Sequence, residues 1–558
     1  MKQLEKFIID LRFKIAHFLF MTRFFLGTCF ISVLVGLWLS SSNPKYKRAW
    51  EWIFMEAKYL IRGVNHPEQK RYFYAVNKSY IEIARKIIVK ELLYLGLVGL
   101  GIATLAVVLF SLYLKRKEKY QKEQVIRGAH ILNKPLKLKG RIKVDEIVIP
   151  YEYENRGILV LGTAGSGKSA FTKHLLRSVR ESIGESDKLI VFDRKGEYIS
   201  YFYEEGDLIL NPADKRSVKW DIFQEIHEKR DIDSVVTSLI PHTEDPRERF
   251  WQNSARDIFK AVLIHILEQH QGDKPGNIDL FNYFTKINSR QKLVDSLKKT
   301  DEAISIVEGY LEDAGDTAAS VYASFTEYAN YFKNPDIRYR GNFSIRRWIN
   351  NEQGGVLFIA NPPAVQDSYR AIYTLILDLA FKEILQLPDN LSRRIWLFID
   401  EFPSLFKLEN LERLLAEGRS KGSSPVLVAQ DFTQVERVYG HGAPSIFNNA
   451  NTKVCFRIGE PRSAEFISRF FGEKEVERER ESLTMGTENY RDGYIVGKDR
   501  EKTPVVLASE LTNLPDLTCF VKIGPNPLYK YTISYPVMNK KTEGFIKKVN
   551  TDVVKMRG

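Results

Sequence analysis

Residues 162 to 169 form a loop whose residue types and spacing suit the binding of phosphate groups. The loop has the pattern GxxxxGK[ST] and consists of Gly162, Thr163, Ala164, Gly165, Ser166, Gly167, Lys168 and Ser169. Glycines let backbone N–H groups approach phosphate oxygens, and the amino end of a following helix adds partial positive charge. We expect Lys168 to contact the β- and γ-phosphates and the Ser169 hydroxyl to bind Mg²⁺. The pattern therefore predicts a site for a nucleoside triphosphate.

The flanking sequence supports this interpretation, because the loop lies between a strand-like and a helix-like segment. The apolar run from Ile158 to Leu161 precedes the loop, and residues 170–179 have a helical pattern. This strand–loop–helix setting is the context in which the motif binds phosphate. It disfavours the alternative of a plain glycine-rich turn.

Two adjacent acidic residues, Asp400 and Glu401, follow an apolar strand-like run far downstream of the loop. We expect this strand to be a parallel neighbour of the phosphate-loop strand, because an aspartate at its carboxyl end could then bind Mg²⁺. Glu401 is predicted to be the general base that polarises the attacking water. The pair favours an ATPase over a switch GTPase, and a solvated turn is the alternative.

Two long apolar segments, at about 17–39 and 90–114, dominate the first 120 residues. Each is long enough to cross a hydrocarbon core about 30 Å thick, so the sequence predicts two transmembrane helices. A cleaved signal peptide is the alternative for the first, and a buried core helix for the second. Since ATP is cytosolic, the amino terminus and the body after residue 120 are both expected in the cytoplasm. The periplasmic loop between the spans is basic, and contact with an acidic surface of a partner is one hypothesis for it.

The net charge of +13 does not by itself indicate a nucleic-acid partner. Residues 1–120 hold 20 Lys and Arg against 8 Asp and Glu, a surplus of +12, which leaves about +1 for the remainder. A basic channel for DNA would therefore have to be local. The three cysteines, Cys29, Cys455 and Cys519, have no metal-binding spacing, so no metal other than Mg²⁺ is expected.

The order of strand-like and helix-like segments predicts an α/β fold with a doubly wound parallel sheet. Strands alternate with helices up to about residue 212, and strands resume at Gly355. Between them the sequence is charged and helical, which predicts an inserted all-helical domain. Its expected helices are Arg249–Gln269, Asp279–Asn288, Ser289–Lys298 and Asp316–Tyr331. The charged run 473–501 is predicted to form a surface hairpin or loop.

An ordered series of motifs resembles the type IV coupling proteins of conjugation systems, the TraD/TraG class. The series is GTAGSGKS, VFDRKGEY, LILNPADKRSVKWDIF, FSIRRWI, WLFIDEFPSL, GRSKG, VLVAQDFTQVERVYG and NLPDLTCFV. The resemblance covers nearly the whole chain and implies a RecA-like fold similar to that of FtsK-type DNA pumps. It also implies an inner-membrane homohexamer that hydrolyses ATP, binds single-stranded DNA with its relaxase, and feeds the complex into a secretion channel.

The spans and this resemblance together divide the chain into five parts. We expect a membrane domain at 1–120, a nucleotide-binding domain in two parts, an inserted all-α domain and a short basic tail. The nucleotide-binding domain comprises residues 121–223 and 342–537, the all-α domain residues 224–341, and the tail residues 538–558.

The resemblance also implies roles for two residues outside the phosphate loop and the acidic pair. Gln430 matches a polar sensor of the γ-phosphate, with a plain strand-end cap as the alternative. Arg419 matches an arginine finger that would reach the site of a neighbouring subunit. A solvated surface role is the alternative for Arg419, since Arg413, Arg437 and Arg457 are also candidates. Asp193 and Glu197 are interpreted as framework residues that close a turn.

Larger members of the class carry a long acidic tail for docking accessory proteins, whereas this sequence ends in a basic stretch. Selection of cargo is therefore expected to depend on the all-α domain. Two alternative functions stay open: a coupling ATPase that recruits protein effectors, and a receptor scaffold that binds ATP without hydrolysis. Glu401 argues against the scaffold, because a protein that does not hydrolyse ATP needs no general base.

Overall fold

The computed structural model describes residues 42–62, 67–120, 124–128, 130–243, 245–270, 272–311, 315–361, 366–484 and 493–548, with seven isolated positions between 23 and 38. Contacts within the chain define two compact units. The first comprises residues 1–124 and 477–501, and the second comprises residues 125–476 and 502–558. The predicted division into five domains is finer than this and stays a prediction.

Two helices, α1 (Pro44–Arg62) and α2 (Pro67–Tyr120), pack together in the first unit. The ring of Trp52 stacks on that of Tyr80 with centroids 5.4 Å apart. The buried Glu56 carboxylate accepts hydrogen bonds from the Tyr74 hydroxyl at 2.7 Å and from Arg85 Nε at 3.2 Å. The pair of helices is thus held by aromatic packing and one buried charged group.

The predicted membrane spans are not confirmed. Of the helices in the described residues, none was found to have a stretch long and apolar enough to cross a bilayer. The first predicted span, 17–39, lies mostly outside the described residues, and the second, 90–114, lies within α2. Both spans stay predictions.

The second unit begins with the strands and helices that surround the phosphate loop. In chain order these are β1 (Gln124–Gly128), β2 (Ile131–Leu132), β3 (Ile142–Val144), β4 (Ile147–Ile149), α3 (Tyr151–Glu154), β5 (Ile158–Leu161), α4 (Lys168–Ser182), β6 (Lys188–Asp193), α5 (Glu197–Phe202) and β7 (Leu208–Leu210). The phosphate-loop strand and helix are therefore β5 and α4.

Helices occupy the chain between β7 and the next strand. They are α6 (Lys229–Leu239), α7 (Pro246–Gln269), α8 (Asn277–Lys286), α9 (Arg290–Leu297), α10 (Asp301–Leu311), α11 (Asp316–Ala329) and α12 (Ile345–Asn350), with short 3₁₀ turns at Ile222–Glu225, Asn330–Lys333 and Pro335–Ile337. The four helices expected from sequence correspond to α7, α8, α9 and α11, with ends within three residues of those predicted. Helices α6, α10 and α12 were not predicted.

Two buried carboxylates join the two ends of this helical segment. Asp221 Oδ2 accepts hydrogen bonds from the N–H groups of Asn277 at 3.0 Å and Gly341 at 2.8 Å. Glu225 Oε1 accepts from the N–H of Ile345 at 2.7 Å and from Trp220 Nε1 at 2.9 Å. These hydrogen bonds hold the beginning and the end of the helical segment next to each other.

The remainder of the chain returns to alternating strands and helices. Its elements are β8 (Gly355–Ala360), α13 (Gln366–Gln386), β9 (Ile395–Ile399), α14 (Leu411–Glu417), β10 (Ser423–Ala429), α15 (Phe432–Tyr439), α16 (Ala443–Asn449), β11 (Thr452–Cys455), α17 (Pro461–Phe471), β12 (Glu473–Thr484), β13 (Gly493–Pro504), α18 (Ala508–Thr512), β14 (Thr518–Ile523) and β15 (Leu528–Thr532). The charged run 473–501 contains β12 and most of β13, which are hydrogen-bonded neighbours.

The main sheet has ten strands in the order β2-β15-β14-β11-β5-β10-β9-β6-β8-β7. From β11 to β7 all neighbours are parallel. Strand β14 is antiparallel to β11, and β15 is antiparallel to β14. The predicted parallel sheet is therefore confirmed from β11 to β7, and an antiparallel hairpin that was not predicted extends it at one side.

The apolar sequences of the central strands follow from their position inside the sheet. Every residue of β5, β6, β9 and β10 is buried. Since neighbouring residues of a strand point to opposite faces, Leu159 and Leu161 join one hydrophobic core and Ile158 and Val160 join the other. Helices cover both faces, so continuous apolar runs replace the alternation seen in half-exposed strands.

The last described segment, residues 534–548, is packed against the rest of the second unit, and we call it the C-terminal strap. Its contacts begin at α4, where Arg177 Nη2 donates to Val537 O at 3.2 Å. They continue at α5, where the Lys541 N–H donates to Ser200 O at 2.7 Å, and beyond β7, where the Lys548 N–H donates to Ala213 O at 2.8 Å. The predicted tail 538–558 is thus part of the folded unit as far as residue 548, and residues 549–558 lie outside the described residues.

Candidate nucleotide-binding site

The phosphate loop connects the carboxyl end of β5 to the amino end of α4, as the sequence predicted. Gly165 has φ +77°, and a Cβ atom built on it would meet no heavy atom within 4 Å. Gly167 has φ +123°, and a Cβ there would lie 2.8 Å from Phe456 Cε1 and 3.0 Å from Leu517 Cα. Glycine at 167 thus lets the loop rest on Phe456 and Leu517, whereas at Gly165 the loop faces open space.

Lys168 folds back onto its own loop in this structure. Its ammonium group donates to the carbonyl of Gly162 and, at 3.1 Å, to that of Thr163. Burial lowers the pKa of Lys168, and the nearby carboxylates of Glu401 and Asp400 partly oppose this shift. The lysine therefore lies within electrostatic range of the acidic pair predicted from sequence.

Asp400 follows β9, but β9 is not the direct neighbour of β5 that we expected. Strand β10 lies between them, with Val426 opposite both Ile158 of β5 and Phe398 of β9. Because the three strands are parallel and in register, their carboxyl ends still meet at one edge of the sheet. The expected adjacency was wrong, while the convergence of the two motifs is seen.

Asp400 carries a strongly perturbed carboxyl group. Burial, together with the nearby acids Asp193 and Glu401, raises its pKa to about 7, while Lys195 and Lys168 act in the opposite direction. A carboxyl in this environment is stabilised in its charged form by any additional positive charge.

Glu401 is held in a strained backbone conformation next to Asp400. Its φ of +52° and ψ of +52° lie in the left-handed region, which costs a non-glycine residue about 1–2 kcal/mol. Its side chain is mostly buried and accepts a hydrogen bond at Oε2 from Gln430 Nε2 at 3.3 Å. The backbone strain thus accompanies a defined placement of this carboxylate.

Gln430 lies one residue beyond β10, between the phosphate loop and the acidic pair. Its carbonyl accepts the N–H of Gly162 at 3.2 Å, and its amide contacts Glu401. The residue touches both halves of the predicted site, a placement that a simple strand-end cap would not require.

Arg419 does not join this group within one chain. It lies in the 3₁₀ turn Gly418–Lys421, before the amino end of β10, and its side chain is exposed. Gln430 follows the other end of the seven-residue strand β10, roughly 20 Å away at about 3.3 Å per residue. Of the alternative arginines, Arg457 forms an ion pair with Asp516 at 2.8 Å and Arg413 one with Glu417 at 3.0 Å.

The turn after β6 contributes charged residues that sequence reasoning left out of the site. Asp193, interpreted as a framework residue, is fully buried and accepts hydrogen bonds from the N–H groups of Lys195, Glu197 and Ile199. Burial raises the pKa of Asp193 to about 6. Arg194, the next residue, approaches Glu401. The signal that could have identified these residues is their position. Strand β6 is parallel to β9, so the residues that follow β6 lie at the same edge of the sheet as Asp400.

These features define a P-loop nucleotide-binding protein of the RecA-like α/β class. Residues 141–534 match the family described as the type IV secretion-system coupling protein DNA-binding domain. The chain therefore belongs to the type IV secretion-system coupling proteins, as the motif series predicted.

Individual relatives agree with this assignment. The chain is 30% identical over 472 residues to the coupling protein TraD of Escherichia coli K12, a match that covers 81% of this chain and 64% of TraD. A conjugal transfer protein TraG of Escherichia coli is 22% identical over 293 residues, which cover 47% of this chain and 46% of TraG. The chain thus spans less than two thirds of the length of these curated relatives.

Solved structures of the conjugative coupling protein TrwB share the fold. Unbound TrwBΔN70 is 27% identical, with a TM-score of 0.65, and the match covers 76% of this chain and 97% of that one. Two further TrwB structures, each 26% identical with a TM-score of 0.65 or 0.64, contain the ATP analogue ADPNP and ADP with Mg²⁺. Nucleotide complexes are therefore known for a coupling protein of this fold.

Proposed function

We propose that this chain is the ATPase that couples DNA to a type IV secretion channel in bacterial conjugation. The observation that carries the proposal is the meeting of the phosphate loop, Asp400, Glu401 and Gln430 at one edge of the sheet, in a chain that belongs to the coupling-protein family. A protein that only bound nucleotide would have no use for a carboxylate held in a strained conformation beside the metal-binding position.

The phosphate loop fits the phosphates of ATP. Gly165 faces open space, so backbone N–H groups at this side of the loop can receive phosphate oxygens. Lys168 would exchange the carbonyls of Gly162 and Thr163 for oxygens of the β- and γ-phosphates. The TrwB complexes with ADPNP and with ADP and Mg²⁺ support the same ligands here.

Ser169 and Asp400 are the residues that would hold Mg²⁺. A hydroxyl and a carboxylate are the oxygen donors that this ion accepts, and Asp400 is buried among acids, where a cation is favoured. When bound, Mg²⁺ supplies positive charge that offsets the charge on the phosphates. The protein contributes the fixed placement of both donors, at the amino end of α4 and the carboxyl end of β9.

Glu401 is the proposed general base and Gln430 its orienting partner. The Glu401 carboxylate would accept a proton from the attacking water, while the Gln430 amide, which donates to Oε2 of that carboxylate, would detect the γ-phosphate. Because the Gln430 carbonyl also accepts the Gly162 N–H, a movement of the phosphate loop would be transmitted to Glu401 through Gln430.

Arg419 is proposed to act on the site of a neighbouring subunit in a homohexamer. Arg419 is exposed and lies at the opposite end of β10 from the nucleotide-binding site of its own chain. It could therefore act only on the nucleotide-binding site of another copy. An arginine supplied in this way stabilises charge in the transition state, an effect worth about 10³–10⁵ in rate for GTPases.

The proposed location is the inner membrane, with the second unit in the cytoplasm. Helix α2 supports this, since Leu93, Leu97, Leu105 and Leu109 recur along it and are exposed. The proposed partners are single-stranded DNA, the relaxase and components of the secretion channel, in accordance with the family description as a DNA-binding domain.

The test is ATP hydrolysis by the full-length protein in detergent, with and without single-stranded DNA. We expect DNA to stimulate hydrolysis and Lys168→Thr to abolish it. Substitution of the exposed Lys292 by Thr is the matched control and should leave the rate of hydrolysis without DNA unchanged. Hydrolysis indifferent to DNA would contradict the translocase, and the alternative of a non-hydrolysing scaffold would gain if Glu401→Gln left conjugation undiminished. A mating assay that measures DNA and protein transfer side by side separates DNA from effector cargo.

A further inference from the structure

The turn that carries Arg194 is fixed from both sides. On the sheet side, the buried Asp193 carboxylate accepts three backbone N–H groups of the turn and of the start of α5, at 3.0–3.2 Å. On the outer side, the C-terminal strap packs Gly544 against Gly196, where a Cβ atom on Gly544 would lie only 2.1 Å from Gly196 O. The backbone of residue 194 therefore has little freedom to move relative to β6.

Arg194 points from this fixed turn toward the proposed general base. Its Nη1 lies 4.0 Å from Glu401 Oε2, and both side chains are partly withdrawn from solvent, with 30% and 12% of their surface exposed. Gln430 Nε2 donates to the same oxygen at 3.3 Å. Both contacts thus fall on Oε2, and within the described residues no hydrogen bond to Oε1 is found.

This arrangement gives the two oxygens of the Glu401 carboxylate different surroundings. Oε2 faces a guanidinium and an amide, whereas Oε1 is available to accept a proton from water. Without the guanidinium, the carboxylate would lose the cation that faces Oε2 while Asp400 remains beside it, and like charges at adjacent residues favour rotation of one side chain away.

We propose that Arg194 is a positioning residue that, with Gln430, fixes the orientation of the Glu401 carboxylate for proton abstraction. The inference rests on the proposed function, since it assigns a role within the same ATPase site. Arg194 acts through Glu401 and not on the nucleotide, so it should affect the rate of the chemical step and leave nucleotide affinity unchanged.

The magnitude follows from what each residue is expected to do. Loss of a general base typically costs about 10²–10⁴ in rate. Loss of a positioning contact leaves the base present but poorly aimed, and a misplacement of 1 Å can cost about 10²-fold. We therefore expect Arg194→Gln to lower kcat on the order of 10- to 100-fold, with KM for ATP unchanged within about twofold.

The experiment is a double-mutant cycle in the full-length protein, read by single-turnover hydrolysis and by binding of a fluorescent ATP analogue. Arg194→Gln is combined with Glu401→Gln, and Arg194→Lys tests partial rescue, since lysine keeps the charge but not the fork geometry. Arg469→Gln is the matched control, because Arg469 also faces a glutamate, Glu465 at 3.9 Å, but lies on α17 and outside the site.

The expected result is a loss in kcat for Arg194→Gln, partial recovery with Arg194→Lys, and no further loss when Glu401 is already Gln. An undiminished kcat, a comparable loss of nucleotide binding, or a full additional loss in the Glu401→Gln background would overturn the positioning role. If Arg194→Gln does not fold, the Lys variant decides alone: a kcat below wild type with unchanged KM supports the role, and unchanged kcat contradicts it. If Glu401→Gln itself hydrolyses normally, the general-base role of Glu401 fails and the inference with it, whereas a wild-type protein that does not hydrolyse ATP contradicts the proposed function.

Discussion

Two glycines of the phosphate loop offer a direct test of how the loop is built. Replacement of Gly167 by Ala places a Cβ atom 2.8 Å from Phe456 Cε1 and 3.0 Å from Leu517 Cα, at a φ of +123°. The backbone conformation costs about 1–2 kcal/mol and the crowding about 1–3 kcal/mol. The lower entropy of the unfolded alanine chain returns about 0.4–1 kcal/mol. We therefore expect the nucleotide-free protein to lose about 2–4 kcal/mol of unfolding free energy.

Gly165→Ala is the matched comparison, because the same atom is added in the same loop at φ +77° but meets no neighbour within 4 Å. Only the backbone term applies, so the expected loss is about 0.5–1 kcal/mol. Its Cβ would instead occupy space proposed for phosphate, so ATP-analogue binding should weaken although the apo protein is nearly as stable as wild type.

The assay is equilibrium denaturation without nucleotide, followed by tryptophan fluorescence, together with titration of a fluorescent ATP analogue. Leu in place of Phe456 should recover part of the loss in the Gly167→Ala background, because it removes the crowded ring atom. The reasoning is refuted if Gly165→Ala destabilises the apo protein as much as Gly167→Ala does.

Three further predictions concern other parts of the molecule. If Arg419 acts between subunits, Arg419→Ala and Glu401→Gln should each be inactive alone and regain hydrolysis when mixed; no recovery from folded variants would contradict this. Burial raises the pKa of Asp378 to about 6, so its stabilising contribution is complete below the unfolded pKa near 3.9 and is lost as pH rises through 6. Asp378→Asn should lack this loss, and its unfolding free energy relative to wild type should rise by about 1 kcal/mol between pH 5 and pH 7; a constant difference would refute the assignment. Gly544→Val should release the C-terminal strap, measured as faster amide exchange at Lys541, and unchanged exchange would argue against the close packing at Gly196.

Local signals in the sequence were sufficient for the phosphate loop and for most central strands. The run Ile158–Leu161 and the glycines after it carry their own geometry, since an apolar strand, a turn and a helix start follow one another without long-range contacts. The same holds for β6, β8 and β9, which are apolar because both faces of the sheet are covered. Strand β8, for example, begins at Gly355, the residue at which strands were predicted to resume.

Features that depend on strand order could not be predicted in the same way. The insertion of β10 between β5 and β9 is set by the packing of connections, and no residue near Asp400 encodes it. The hairpin of β3 and β4 depends on Asp145, whose φ of +54° turns the chain between two short strands. The antiparallel β14 and β15 were missed because their sequence mixes polar and apolar residues at one side of the sheet.

The residues of the candidate site also divide into those that a local motif predicts and those that only the three-dimensional structure identifies. Lys168, Ser169, Asp400, Glu401 and Gln430 belong to continuous motifs, and the structure brings the phosphate loop, the acidic pair and Gln430 together. Arg194 lies in the motif VFDRKGEY, but the motif assigns it no partner, and only the three-dimensional approach of two turns reveals its contact with Glu401.

The C-terminal strap also determines where anything attached beyond it would emerge. Residue 548 hydrogen-bonds to Ala213, and its ammonium group lies 5.8 Å from the ring centre of Tyr339 in the helical segment. A fluorophore or fusion partner attached after this point would therefore report on the helical segment rather than on the phosphate loop, and shortening the chain to residue 533 would uncover backbone acceptors on α5 and after β7. The strap should accordingly be treated as part of the folded body when the protein is labelled, tagged or trimmed.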